Sequence, residues 1–167
     1  MPAVFTTSHL ADSLAIFRQY KNMAERAMAQ VADEDLLFTS DEESNSIAII
    51  VKHMAGNMRS RWTDFLTSDG EKPDRNRDSE FEDPPKDRQD LLRIWEDGWS
   101  RVFTALEPLN DSQLSERITI RGEAHSVTQA INRQLCHYAC HIGQIVLLAK
   151  QRRSGEWTSL SMPRKKR

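Results

Sequence analysis

The sequence has few cysteines and no long apolar segment. Its two cysteines among 167 residues, Cys136 and Cys140, cannot form a disulfide framework, and they predict a reducing, cytoplasmic location. No apolar run is longer than 47–51, which is far shorter than the ~20 residues of a membrane-spanning helix. The N-terminal residues show neither a basic nor a long apolar segment, so we expect no secretory signal and no membrane partner. The length predicts one domain over residues 1–167.

An excess of positive charge is also lacking. The chain has 23 Lys and Arg against 25 Asp and Glu, and the last four residues, Arg164–Arg167, are all basic. Residues 1–163 therefore carry a net charge of −6, which is unfavourable for contact with a phosphate backbone. We predict no nucleic-acid partner and interpret the basic tail as a solvated terminus. The alternative, nucleic-acid binding through the tail, predicts a salt-dependent affinity that is lost when the tail is deleted.

Apolar residues recur at three- and four-residue steps in four stretches, which predicts four amphipathic helices. Only one stretch, 117–123, alternates as a strand does, and it contains a glycine turn. Four helices and at most one short strand predict an all-α fold, a four-helix bundle. The predicted helices run from about Ser8 to Val31, from Ser46 to about Thr67, from Asp87 to near Pro108 and from about Ser126 to Arg152.

The linker between the second and third predicted helices, residues 68–86, is rich in charged residues and long for a bundle connection. At ~3.3 Å per residue it spans about 60 Å, twice the length of a 20-residue helix. It is therefore long enough to let the second and third helices run parallel. A disordered surface loop is the alternative, but Pro73, Phe81 and the interleaved charges favour an ordered crossover with local ion pairs.

Three histidines carry the clearest chemical signal. His137 and His141, four positions apart in the fourth helix, project to the same side about 6 Å apart, as two ligands of one metal ion do. This spacing alone is also found in surface histidines and in hydrogen-bonded core histidines. His53, at the edge of the apolar face of the second helix and at a similar depth, supplies a third imidazole. Three imidazoles from two helices would leave a fourth coordination position open, as in catalytic zinc sites.

The remaining histidines and the cysteines are weaker candidates. His9 is expected at the beginning of the first helix and His125 in the turn before the fourth, as surface or capping residues. Cys136 and Cys140 are each rotated about 100° from the neighbouring histidine, so we expect them on the helix surface or in helix packing.

Polar side chains near the three histidines are candidates for further contacts. Asn57 and Gln144 lie within about one turn of a predicted ligand, where either amide could bond a metal-bound water or orient a substrate. Solvation of a helix edge is the alternative for both. Together with Arg61, they are candidates for contacts with the charged groups of a bound thiol.

The chain resembles the DinB/YfiT-like superfamily of metal-dependent enzymes, and within it an uncharacterised bacterial branch. The resemblance covers nearly the whole chain and rests on residues 51–58 around the first histidine, residues 137–145 with the H-x-x-x-H pattern, and the linker residues 71–81. It implies an up-down-down-up four-helix bundle with a long crossover between the second and third helices.

The resemblance also implies a divalent ion on His53, His137 and His141, with zinc or nickel favoured and iron or manganese as alternatives. Characterised relatives include S-transferases and isomerases that use low-molecular-weight bacterial thiols. An ion with an open position stabilises a bound thiolate, so the leading hypothesis is an S-transferase in which an external thiol attacks a small electrophile. The catalytic group would then be a metal-bound thiolate or water.

Two alternatives to the transferase stay open at this point. One is a metal-dependent hydrolase, and the other is a non-catalytic, stress-related bundle that binds metal or dimerises. A face of small residues, with Gly143 and Leu147 beside the two cysteines, is a candidate contact for a homodimer.

Overall fold

The computed structural model describes residues 5–162 and is mostly helical. The predicted basic tail, Arg164–Arg167, lies outside the described residues. Short 3₁₀ turns occur at Asp78–Phe81, Asp111–Ser115 and Ser154–Glu156. The α-helices within the described part are α1 (His9–Met28), α2 (Asp33–Leu37), α3 (Ile47–Trp62), α4 (Arg88–Leu106) and α5 (Val127–Arg153), and the strands are β1 (Arg117–Ile120) and β2 (Glu123–Ser126).

Each of the four long helices begins at a residue whose side chain caps it. Ser8, Ser46, Asp87 and Ser126 each accept a hydrogen bond from a backbone N–H of the first helical turn. Such a cap satisfies one of the N–H groups that have no partner inside the helix. The four predicted starting points are therefore confirmed.

The ends of two helices differ from the prediction. The first helix stops at Met28 instead of Val31, and the short α2 follows, with three acidic residues in its first turn where the helix dipole favours negative charge. The helix α3 stops at Trp62 instead of Thr67. Thr63 turns to an extended conformation there, and Asp64 takes a positive φ of 49°, which a helix cannot continue.

The single predicted strand is half of a two-stranded antiparallel hairpin. Arg117 lies opposite Ser126, and Ile120 lies opposite Glu123. Arg121 and Gly122 form the turn with φ values of 57° and 76°, the pair of positive angles that matches the twist of a two-residue hairpin. The strand β2 was missed because its sequence has no β-branched or large aromatic residue.

The centre of the core is an aromatic cluster to which all four long helices contribute. The ring of Phe17 on α1 lies 6.3 Å from Trp62 on α3, 6.2 Å from Trp99 on α4 and 5.7 Å from Tyr138 on α5, between ring centroids. All four side chains are almost completely buried. Their packing fixes α3 against α5, the two helices that carry the candidate ligands.

The connection between α3 and α4, residues 63–87, is held by many hydrogen bonds. The Asp69 carboxylate accepts the backbone N–H groups of Arg121 and Gly122 at 2.8 Å each, which ties the connection to the hairpin turn. Arg75 forms ion pairs with Glu71 at 3.1 Å and with Glu80 at 2.7 Å. The predicted local ion pairs are therefore present, and the connection is ordered.

Within residues 5–162, no helix has the length and apolar character needed to cross a membrane.

Candidate metal centre

The three predicted ligands meet at one point between α3 and α5. Nε2 of His137 lies 3.3 Å from Nε2 of His53 and 3.0 Å from Nε2 of His141. The candidate ligand atoms of all three residues lie within 4.8 Å of one another. Nitrogens bound to one tetrahedral zinc ion are separated by about 3.3 Å, given Zn–N bonds of about 2.0–2.1 Å. The spacing therefore fits a single ion.

The nitrogen of each ring that faces away from this point bonds to a side-chain oxygen. Carboxylate and amide oxygens only accept, so Nδ1 is the donor in each bond and a neutral ring keeps its lone pair on Nε2. Three lone pairs thus point at one another, which is unfavourable without a proton or a cation between them. The bonds are His53 Nδ1 to Glu80 Oε2 at 2.9 Å, His137 Nδ1 to Gln134 Oε1 at 3.2 Å and His141 Nδ1 to Gln144 Oε1 at 2.8 Å.

The surroundings keep two of the rings neutral. Burial, together with the nearby His141 and His53, lowers the pKa of His137 from 6.5 to about 3. Burial also lowers the pKa of His141, although its hydrogen bond with Gln144 acts in the opposite direction. A histidine binds a metal ion as the neutral imidazole. The lowered pKa values of His137 and His141 therefore favour the form of each ring that binds a cation.

Glu80 links the site to the α3–α4 connection. Its side chain is 7% exposed, and its oxygens accept from His53 Nδ1 and from both Nε and Nη2 of Arg75, at 2.7 and 2.9 Å. Burial raises the pKa of Glu80, but the hydrogen bonds from His53 and Arg75 outweigh burial and hold it below its ordinary value. An ionised carboxylate therefore lies behind His53, the arrangement that orients metal-binding histidines and increases their basicity.

A glycine lets Glu80 approach the helix this closely. A Cβ atom on Gly56 would lie 2.7 Å from Cδ of Glu80, closer than real Cβ contacts allow. The next residue, Phe81, stacks on the His53 ring with 4.7 Å between centroids and 28° between planes. The connection thus supplies both the carboxylate and an apolar cover for this imidazole.

The two predicted amides have different partners. Gln144 is exposed, and its oxygen bonds to His141. Asn57 is buried, and its oxygen accepts from the Tyr138 hydroxyl at 3.2 Å, which itself accepts from Trp62 Nε1 at 2.9 Å. Gln144 therefore contacts a ligand directly, whereas Asn57 takes part in a buried network beside the site.

The other candidates lie away from this cluster. Cys136 and Cys140 are both exposed on α5, as predicted. His9 opens α1, but it is half-buried, as is His125, and neither Nε2 has a hydrogen-bond partner among the described residues. His125 also lies in β2 and not in a turn. Both histidines are thus half-buried, and neither belongs to the cluster of three.

Sequence reasoning singled out Gln144 beside His141 but not the partners of the other two rings. Gln134 lies three positions before His137, so helical spacing could have shown it. Glu80 and Arg75 had only an indirect signal, the alternating charges of the linker.

Comparison with known proteins identifies one family. Residues 4–166 match the family described as "Protein of unknown function (DUF1572)". No curated protein and no solved structure matches the chain.

Proposed function

Because the chain belongs to the DUF1572 family, whose function is unknown, we propose a function from the site itself: a metal-dependent enzyme acting on a small molecule. In this proposal His53, His137 and His141 hold one divalent ion through Nε2. The observation that carries it is that all three Nε2 atoms converge while every Nδ1 is bonded to an oxygen. Hydrogen-bonded core histidines would have no reason to direct three lone pairs at one point.

We further propose that the chain is a DinB/YfiT-like four-helix bundle of up-down-down-up topology. Two contacts between α3 and α4 support this. Arg59 lies 3.6 Å from Asp97, and Thr63 accepts from Arg101 at 3.0 Å. The four-residue step from Arg59 to Thr63, at the C-terminal end of α3, is matched by the four-residue step from Asp97 to Arg101 on α4. Parallel neighbours are expected to show this correspondence.

The proposed reaction is the transfer of an external thiol to a small electrophile. A divalent ion, with zinc or nickel favoured for imidazole ligands and iron or manganese as alternatives, supplies the Lewis acidity that stabilises a thiolate. The chain's own residues orient the rings: Glu80 fixes His53, Gln134 fixes His137 and Gln144 fixes His141. Among residues 5–162, the cluster includes no fourth His, Cys, Asp or Glu, so a bound ion would keep a coordination position for an external ligand.

A turnover assay tests the reaction. Metal-loaded protein is mixed with 1-chloro-2,4-dinitrobenzene and with cysteine, glutathione or coenzyme A, and thioether formation is followed. The exposed Cys136 and Cys140 would themselves react with this electrophile, so the assay uses the Cys136→Ser, Cys140→Ser variant as its background. We expect turnover in this variant and none after the additional His53→Ala change. Equal turnover with and without His53, or hydrolysis of ester substrates in place of thiol transfer, would contradict the proposal.

Further predictions concern the location and the partners of the protein. We propose a cytoplasmic location and a small-molecule partner, with no nucleic acid. A homodimer through the face of α5 that carries the cysteines is also proposed, since Leu147 is 57% exposed there. Light scattering of the Leu147→Glu variant tests the dimer, because a charge at this position would dissociate it.

A further inference from the structure

Arg61, two turns beyond His53 on α3, is a buried cation without a hydrogen bond to any of residues 5–162. The residue is 2% exposed, and its Nε and Nη1 atoms are buried with no partner among the described residues. Its nearest carboxylate oxygen, Oε2 of Glu71, lies 3.9 Å from Nη2, beyond hydrogen-bond distance. A buried charge without a hydrogen-bonded counter-ion is strongly unfavourable. An anion that bonds directly to the guanidinium would therefore stabilise Arg61.

The carboxylate beside Arg61 is shared with other cations. Glu71 also pairs with Arg75 at 3.1 Å and with Arg121 at 3.3 Å. The only other carboxylate paired with any of these arginines in the described chain is Glu80, which already serves Arg75 and His53. Three guanidinium groups therefore share two carboxylates, while the nearby Asp69 carboxylate is bonded to the backbone N–H groups of Arg121 and Gly122.

Glu71 is the more exposed of the two carboxylates in this cluster. Its side chain is 24% exposed, against 7% for Glu80. Rotation of the Glu71 side chain into water would uncover Nη2 of Arg61 without displacing a helix. The carboxylate thus occupies the place that an anion on a ligand would take.

This cluster adjoins the histidines. His53, Asn57 and Arg61 follow one another at four-residue steps, so Arg61 lies ~12 Å along the helix axis from His53 at ~1.5 Å per residue. Long side chains on a helix lean towards its N-terminus, which brings the guanidinium back towards His53. Glu80 joins the two groups directly, since its carboxylate accepts from both His53 Nδ1 and the Arg75 guanidinium.

Within the described part of the chain, Arg61 is the one polar residue predicted to contact a ligand that has no hydrogen bond to another side chain. Asn57 is bonded to Tyr138, and Gln144 is bonded to His141. A guanidinium presents paired N–H groups that match the oxygens of a carboxylate or a phosphate.

We propose that Arg61, assisted by Arg75 and Arg121, binds an anionic group of the substrate, and that Glu71 occupies this position until the anion displaces it. This inference rests on the proposed function, since it takes the reacting end of the same small molecule to lie at the three histidines. The substrate class is a small molecule with a carboxylate or phosphate several ångströms from its reacting atom.

Anion binding to the full chain tests the proposal. Inorganic phosphate and acetate are titrated by calorimetry against chloride at equal ionic strength, using metal-loaded and chelator-treated protein. We expect both anions, or phosphate alone, to bind more tightly than chloride, with at least tenfold weaker binding in Arg61→Met. Arg59→Met is the matched control, since Arg59 lies on the same helix with a 61% exposed side chain. The phosphate and acetate affinities of Arg59→Met should equal those of the wild type.

A second variant tests the proposal even if Arg61→Met does not fold, because here we expect anion binding to become tighter. Glu71→Gln removes the internal competitor, so it should bind phosphate or acetate at least threefold more tightly than the wild type. Unchanged or weaker binding in Glu71→Gln, unchanged binding in Arg61→Met, or no binding to the wild type would each overturn the inference. If phosphate or acetate still binds to chelator-treated protein, the anion site does not depend on the metal ion. The metal content of the same samples tests the metal proposal separately.

Discussion

The change Glu80→Gln should weaken metal binding although residue 80 is not a ligand. The amide can still accept from Nδ1 of His53, so the ring keeps its orientation, but the negative charge behind it is lost. Carboxylates that bond to metal-binding histidines typically contribute 10- to 100-fold in affinity, or about 1.4–2.7 kcal/mol. Arg75 keeps its ion pair with Glu71, so we expect the loss of affinity to stay within this range, above tenfold.

The assay is competition for Zn²⁺ with a chromophoric chelator. Glu82→Gln is the matched control, since Glu82 is two residues away and exposed, and no hydrogen bond of its carboxylate is present in the described chain. The control should bind zinc as the wild type does, whereas Glu80→Gln should bind it more than tenfold less tightly. A zinc affinity of Glu80→Gln within twofold of the control would refute the role assigned to this carboxylate.

Three other predictions concern stability. Gly56→Ala places a methyl group against Glu80, so it should lower the free energy of unfolding in urea by about 1–3 kcal/mol and also weaken zinc binding. A wild-type unfolding free energy together with a wild-type zinc affinity would contradict the close approach. Tyr138→Phe leaves Trp62 Nε1 and Asn57 without their shared hydroxyl, which should cost about 1–3 kcal/mol while leaving the metal content unchanged. The pKa of Glu80 is lower in the folded than in the unfolded chain, so its ionised form stabilises the fold above the ordinary value of 4.5, and this contribution is lost as the pH falls through the folded pKa. The difference in unfolding free energy between wild type and Glu80→Gln should therefore shrink from pH 7 to pH 3, and a constant difference would exclude this linkage.

The sequence was sufficient to predict features that depend on local spacing. Capping residues such as Ser46 and Asp87 fix where a helix begins, and a cap is visible within a few residues. His137 and His141 share a helix face because of their four-residue spacing, and this needs no tertiary information.

Features set by contacts between distant segments were not predictable in this way. Glu80 meets His53 across 27 residues, and only the course of the whole connection brings them together. The strand β2 forms because β1 offers it a ladder of hydrogen bonds, although its own residues have low strand propensity. The free guanidinium of Arg61 likewise depends on which carboxylates the folded connection places near it.

The metal content of protein purified without an affinity tag tests the central claim most directly. Elemental analysis should give one divalent ion per chain in the wild type and almost none in the His137→Ala, His141→Ala double variant. The helical circular dichroism of the double variant should be unchanged, because both rings lie outside the buried apolar core. Stoichiometric metal in a folded double variant, or a wild type that binds no divalent ion when it is supplied, would contradict the account.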